Sequence, residues 1–196
     1  MNLSLADIGT GTGLFLSQLA QGYPDAILHG FDISPNLFPP QETLSPQVSL
    51  SVLNIKETPP SSLHDKYDII HIRLLAAGIN STEWKPIVQN LLKLLKPGGA
   101  IQWEECNWME TQYYRSGINS SAQAACYMCA RFKEGMKDKF SYGWKILPRI
   151  YDEFGMGDLV KDIVSSDRIV ETSGYGEECD GCYFWVGEIG FGEEFG

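Results

Sequence analysis

The segment ADIGTGTG at residues 6–13 constrains this chain more than any other. It ends a short apolar run, LSLADI, and opens an apolar helical stretch, LFLSQLAQ, which closes at Gly22 and Pro24. Glycines at alternate positions of a strand-to-helix junction let the backbone turn tightly and approach a ligand. The start of the helix adds N–H donors without intrahelical partners. Such a loop at the carboxyl end of a strand implies an open α/β sheet with a ligand across its edge.

The rest of the chain keeps that alternation. Further β-rich runs are AILHGFDI, VSLSVLNI, YDIIHI and AIQWEE, and the later runs DRIVET and CYFWVGEI can complete the sheet. The clearest helix is EWKPIVQNLLKLLK over 83–96, with Pro86 in its first turn and Thr82 as its expected cap. Its apolar face is Trp84, Ile87, Val88, Leu91, Leu92, Leu94 and Leu95, with Lys85, Gln89, Asn90, Lys93 and Lys96 opposite. Pro97-Gly98-Gly99 then stops the helix. These runs predict one domain, a core over 1–170 followed by an acidic Gly/Glu-rich tail over 171–196, with a helical insert or lid at about 107–165. The insert is rich in aromatic residues and Met and contains the helical run SSAQAACYMCARFKEGM. It reads equally as a cover over the carboxyl edge of the sheet and as core under an ordinary pair of helices.

Composition narrows the function classes. The formal net charge is −10, which argues against a nucleic-acid backbone as partner. Seven of the 25 acidic residues lie in 171–196, where Lys and Arg are absent, so the body is nearly balanced. No run approaches the roughly 18 to 20 apolar residues of a membrane span, and the N-terminus has no basic region or cleavage site, so a cytoplasmic protein is expected. The five cysteines form two C-x-x-C pairs, Cys126/Cys129 and Cys179/Cys182. About fifty residues separate the pairs, against roughly 15 to 20 in zinc ribbons, so no metal is expected.

Asp32 ends the second strand about twenty residues beyond the glycine loop, where a carboxylate can accept from two ribose hydroxyls. That names an adenosine without naming its attachment. The dinucleotide pattern G-x-G-x-x-G fails in register, since Leu14 stands at the sixth position and the third glycine comes early, at Gly13.

ADIGTGTG, GFDIS, YDIIHIRLL and LLKPGGAIQWEE, in this order and spacing, resemble the successive motifs of class I S-adenosylmethionine-dependent methyltransferases. They are similar in wording to the small-molecule enzymes of fungal secondary metabolism. The resemblance covers about residues 5–108. It implies a Rossmann-like, mostly parallel sheet of order 3-2-1-4-5-7-6 with helices on both faces, the last strand antiparallel, and S-adenosylmethionine across the ends of strands one, two and four. Asp7, Gly9, Thr10, Gly11 and Gly13 would hold the methionine part, Asp32 the ribose, Ile33 the adenine face, and Asn54 with Ile55 the adenine edge. Asn54 departs from the Asp found in many members, although its amide oxygen can still accept.

His71 and Arg73, placed after the fourth strand, would face the sulfonium and the substrate, with His71 listening to neutral pH as a candidate general base. The other reading of His71 is a strand-end histidine bonded to a neighbour. Glu104 and Glu105 are alternative bases or the end of a strand. The expected activity is methyl transfer to O or N of a small, apolar or aromatic metabolite, with no protein partner indicated. A cofactor-binding regulator or scaffold is the first rival, and a rearrangement on the same fold the second. Relatives usually carry several dozen residues ahead of the glycine loop, whereas six precede Asp7 here, so cofactor binding is expected to exceed turnover.

Overall fold

The computed structural model describes residues 2–106, 109, 119–140, 143–163 and 183–187. Seven strands form one sheet in the order β3-β2-β1-β4-β5-β7-β6. Strands β1 (Ser4–Ile8), β2 (Ile27–Asp32), β3 (Val48–Val52), β4 (Tyr67–Arg73) and β5 (Leu95–Glu104) are mutually parallel. β7 (Tyr183–Gly187) runs antiparallel to β5 and pairs with the two-residue β6 (Asp162–Ile163). The expected sixth strand, DRIVET, lies outside the described residues, and the strand at that place in the order is Asp162–Ile163. The tail is described only over the five residues of β7.

Period-two alternation splits the central strands between two cores. Leu5 and Leu28 join Leu16 and Ala20 of α1 (Leu14–Gly22) on one face. Ala6, Ile8, Ile70, Ile72, Ile101 and Trp103 join α2 (Trp84–Leu94) and α4 (Gly143–Glu153) on the other. Helix α2 buries Trp84, Ile87, Val88, Leu91 and Leu94, each worth roughly 1.5–3 kcal/mol when an aliphatic side chain leaves water. Trp84 stacks on Trp103 across this interface at 5.3 Å between ring centroids.

Three details differ from the sequence reading. Thr82 does not cap α2, whose N-cap is Glu83. The Glu83 carboxylate instead accepts from Asn80 N at 2.7 Å and from Lys56 Nζ at 2.8 Å. Asn90 is buried, because its amide finds acceptors that the periodicity of α2 could not show. Helix α2 ends at Leu94 and β5 begins at once: Leu95 pairs with Tyr67, the chain bulges through Gly98 at φ +76°, and pairing resumes at Ala100 with Ile69.

In the insert, α3 (Gln123–Phe140) packs on the turn Ala76–Gly78 that follows β4, and Lys139 Nζ donates to Ala77 O at 2.9 Å. Tyr127, Met128 and Phe132 on α3 are exposed. Helix α4 belongs to the main core through Leu147, Ile150 and Tyr151.

Candidate functional site

The glycine loop is tied to β2 before any ligand is considered. Gly9 N and Thr10 N both donate to Phe31 O, at 2.8 and 3.0 Å, and Gly11 N donates to Asp32 Oδ2 at 2.9 Å. Gly9, Gly11 and Gly13 have φ of +76°, +56° and +69°, a left-handed path that side chains disfavour. A Cβ on Gly9 or Gly13 would lie 3.1 Å from Leu75 or Leu50. The space beside Gly11 is open.

Gly30 has a less visible role. A Cβ there would collide with the Leu50 side chain and come within 2.8 Å of both branches of the Thr10 side chain, so β2 needs this glycine both beside β3 and under the loop. The sequence contained it, within GFDIS, without showing what it faced.

A cavity of about 170 Å³ lies between the carboxyl ends of β1 and β2, the segment after β3 and the turn that follows β4. Gly9, Asp32, Ile33, Asn54, Ile55 and Ile79 are among its lining residues, so four of the sequence-selected residues after the loop meet in one place. Ile33 is 63% exposed, an apolar side chain presented at the rim, whereas Ile55 and Ile79 are buried. Asp32 Oδ1 accepts from Ser34 N at 3.1 Å, so each carboxylate oxygen is fixed by one backbone donor. An ionised carboxylate has about four lone-pair positions, which leaves acceptor capacity on both oxygens.

Asn54 lies beyond the end of β3 and its groups serve its own loop: Nδ2 donates to Glu57 Oε1 at 2.7 Å and Oδ1 accepts from Lys56 N at 3.2 Å. Lys56, not selected from sequence, lines the same cavity and pairs with Glu83 at 2.8 Å. Asn90 was also missed. Its amide donates to Ile55 O and Glu57 O, both at 2.9 Å, and so pins the cavity wall to α2.

Asp7 and His71 lie inside the sheet, 4% and 1% exposed. His71 and Arg73 belong to β4 itself and do not follow it. His71 Nδ1 is 2.7 Å from Asp7 Oδ1, and its Nε2 is 3.6 Å from Glu104 Oε1, too long for a hydrogen bond but close enough for an ion pair. Burial alone would lower the His71 pKa; the Asp7 hydrogen bond and the Glu104 carboxylate outweigh it, and the net shift is upward. Glu104 is correspondingly lowered, chiefly by His71. Arg73 is exposed.

Glu105 is 1% exposed, and its Oε1 accepts from Leu75 N, Ala76 N and Trp103 Nε1 at 2.8–2.9 Å. Burial pushes its carboxyl up to about 7. This buried carboxyl holds the turn after β4, whose start at Leu74 has φ +56°. Among the described residues no group of three His, Cys, Asp or Glu side chains is placed to hold a metal ion; Cys126 is exposed and Cys129 buried on α3, while Cys179 and Cys182 lie outside the described residues.

The sheet order, the glycine turn fastened to a strand-end carboxylate and the cavity beside it define a class I, S-adenosylmethionine-dependent methyltransferase domain. Residues 6–101, just under half of the chain, match the family model of the methyltransferase domain. The chain is 39% identical over 112 residues to the methyltransferase grgD of a Penicillium species, covering 53% of this chain and 38% of that protein. It is 38% identical over 104 residues to the N-methyltransferase sirN of Leptosphaeria maculans, covering 52% and 35%. The chain thus spans less than two-fifths of the length of these curated relatives. In fold it is similar to the CMeT domain of the citrinin polyketide synthase, with a TM-score of 0.62 at 14% identity, over 96% of this chain and 47% of that one.

Proposed function

We propose that the chain binds S-adenosylmethionine between the glycine loop and the Asp32–Asn54 wall and transfers its methyl group to N or O of a small apolar or aromatic metabolite. The observation that carries the reading is Asp32: its carboxylate holds Gly11 N–H at 2.9 Å and lines the adjoining cavity, so one side chain sets the loop and faces the ligand space. The residues present fit the cofactor. The open space beside Gly11 admits a ligand against backbone, and the buried Thr10 Oγ1 has no protein partner.

In this reading Asp32 accepts from the ribose hydroxyls, Ile33 covers one adenine face, and the Asn54–Ile55 backbone and side chains border its edge. Asp7, Gly9, Thr10, Gly11 and Gly13 receive the methionine part. The bound cofactor supplies a methyl group on a sulfonium, a good leaving group, so most of the protein's task is to align the acceptor. The name of sirN, an N-methyltransferase, supports nitrogen as one acceptor. The exposed Tyr127, Met128 and Phe132 on α3 support an apolar substrate wall near the turn after β4.

Titration calorimetry with S-adenosylhomocysteine, with NAD as control, tests the binding half, and methyl transfer to a panel of small amines and phenols tests the chemistry. Saturable binding of S-adenosylhomocysteine and none of NAD is the expected result. Equal binding of the two removes the cofactor assignment. Binding without turnover on any acceptor would support a cofactor-binding regulator instead.

A further inference from the structure

Three side chains from three neighbouring parallel strands meet on the α1 face of the sheet. Asp7 of β1 is the direct partner of His71 of β4, and His71 is the partner of Gln102 of β5, two residues before Glu104. Register therefore sets Asp7 beside His71 and puts Glu104 on the same face two residues further along β5, since residues two apart share a face. Phe15 of α1 covers the row, stacked on the imidazole at 4.0 Å between centroids and 19° between planes. Gln102 Nε2 donates to Glu104 Oε1 at 2.6 Å and orients that carboxylate. With 1% exposure and a carboxylate on each side, the imidazole has no face left for an acceptor.

We propose that His71 is a positioning residue, a bridge that fixes Asp7 at the base of the glycine loop and Glu104 at the end of β5 as one unit. The inference rests on the reading that this loop binds S-adenosylmethionine. Two carboxylates flanking β4 repel one another unless a cation stands between them, and in a buried site the repulsion is poorly screened. An imidazolium has two N–H donors: Nδ1 hydrogen-bonds Asp7, and Nε2 stands in an ion pair with Glu104. Neutral imidazole has one, so whichever carboxylate loses it faces a lone pair and is free to turn. The groups facing this row among the described residues are Phe15 from α1, which is uncharged, Gln102 from β5, which is neutral, and Arg73 at the end of β4, which acts on Glu104. The two flanking carboxylates favour the charged ring and shift the His71 pKa upward against the burial that would lower it.

The test joins a spectroscopic reading with a binding reading. Nitrogen NMR of the full chain should show the His71 imidazole titrating above a free histidine, with a midpoint that falls in Glu104→Gln. S-adenosylhomocysteine should bind about tenfold or more weakly to His71→Phe, which keeps the ring stack but loses the bridge, as expected for hydrogen bonds to charged groups. His71→Gln, with one donor toward Asp7, should recover part of that loss. Should His71→Phe fail to fold, Glu104→Gln decides the matter through its His71 midpoint and its affinity together. Wild-type affinity in both variants, or a His71 midpoint at or below that of a free histidine, overturns the proposal and leaves the cofactor reading standing. No binding of S-adenosylhomocysteine to the wild type overturns both.

Discussion

Asp32 works for the protein before it works for a ligand. Its two oxygens hold Gly11 N and Ser34 N, so removing them affects both the empty and the loaded protein. Asp32→Ala should weaken S-adenosylhomocysteine binding by about 1.5–3 kcal/mol, the cost of hydrogen bonds to a charged group, while the chain remains folded. Calorimetry on the variant checks this, and unchanged affinity would remove Asp32 from the site. Glu105 makes a different prediction. Its carboxyl is raised by burial to about 7, against 4.5 for a free side chain. The native state therefore holds the proton more tightly, and this contribution to stability is full below about pH 4.5 and lost as pH rises through about 7. Glu105→Gln keeps an acceptor for Leu75 N, Ala76 N and Trp103 Nε1 without the charge. It should be more stable than wild type at pH 8, by up to roughly 3 kcal/mol, with little difference at pH 4.5. Urea unfolding at the two pH values measures the difference, and parallel curves would refute the assignment.

Among the elements, α2 reaches furthest into the site without lining it with charge. Its apolar face anchors it to β4 and β5 through Ile87, Leu91 and Leu94, and Asn90 on the same helix ties down the Ile55 and Glu57 carbonyls of the cavity wall. Asn90→Ala leaves two backbone acceptors without this donor pair, a loss of about 1–3 kcal/mol in stability for buried groups. The same variant should bind S-adenosylhomocysteine more weakly because the wall loosens. Thermal unfolding and calorimetry on one preparation check both parts; a stability loss with intact affinity would show that the wall holds without α2.

At the scale of the molecule, titratable groups divide by the direction in which folding moves them. Asp68 is lowered to about 2 although desolvation, its largest single influence, raises it; Ser4 and Lys96 prevail through hydrogen bonds of 2.6–3.0 Å. Glu104 is also lowered. These groups stabilise the fold above their ordinary pKa values and lose that contribution as pH falls. Asp68 is partly exposed, so solvent screening keeps its share small. His71 and Glu105 are raised and lose theirs as pH rises. Stability should therefore decline toward acid as Asp68 and Glu104 protonate and fall again as Glu105 ionises through about pH 7, with the lowered His29 acting against that second loss. A melting-temperature series from pH 3 to 9 gives the profile, and a maximum at pH 8 or above would contradict these assignments.

Local sequence was enough for the class of fold. Alternating β-rich and helical runs, glycines at 9, 11 and 13, and Asp32 at the end of a strand are features that backbone conformation and burial impose within a few residues. The strand order that the sheet shows was implied by the family resemblance of the motifs, not by these local features. Only the folded sheet decided what the polar side chains do, because their partners lie far along the chain. Asp7 and His71 are 64 residues apart, Asn90 is 35 from Ile55, and Glu105 is 30 from Leu75. Periodicity put Asn90 on the solvent side of its helix, since an amide looks polar until two carbonyls are brought to it. For His71 the resemblance left two readings open, a base facing substrate and a strand-end histidine bonded to a neighbour. Parallel register set a carboxylate on each side of the ring, and that pairing arises only when β1, β4 and β5 lie side by side.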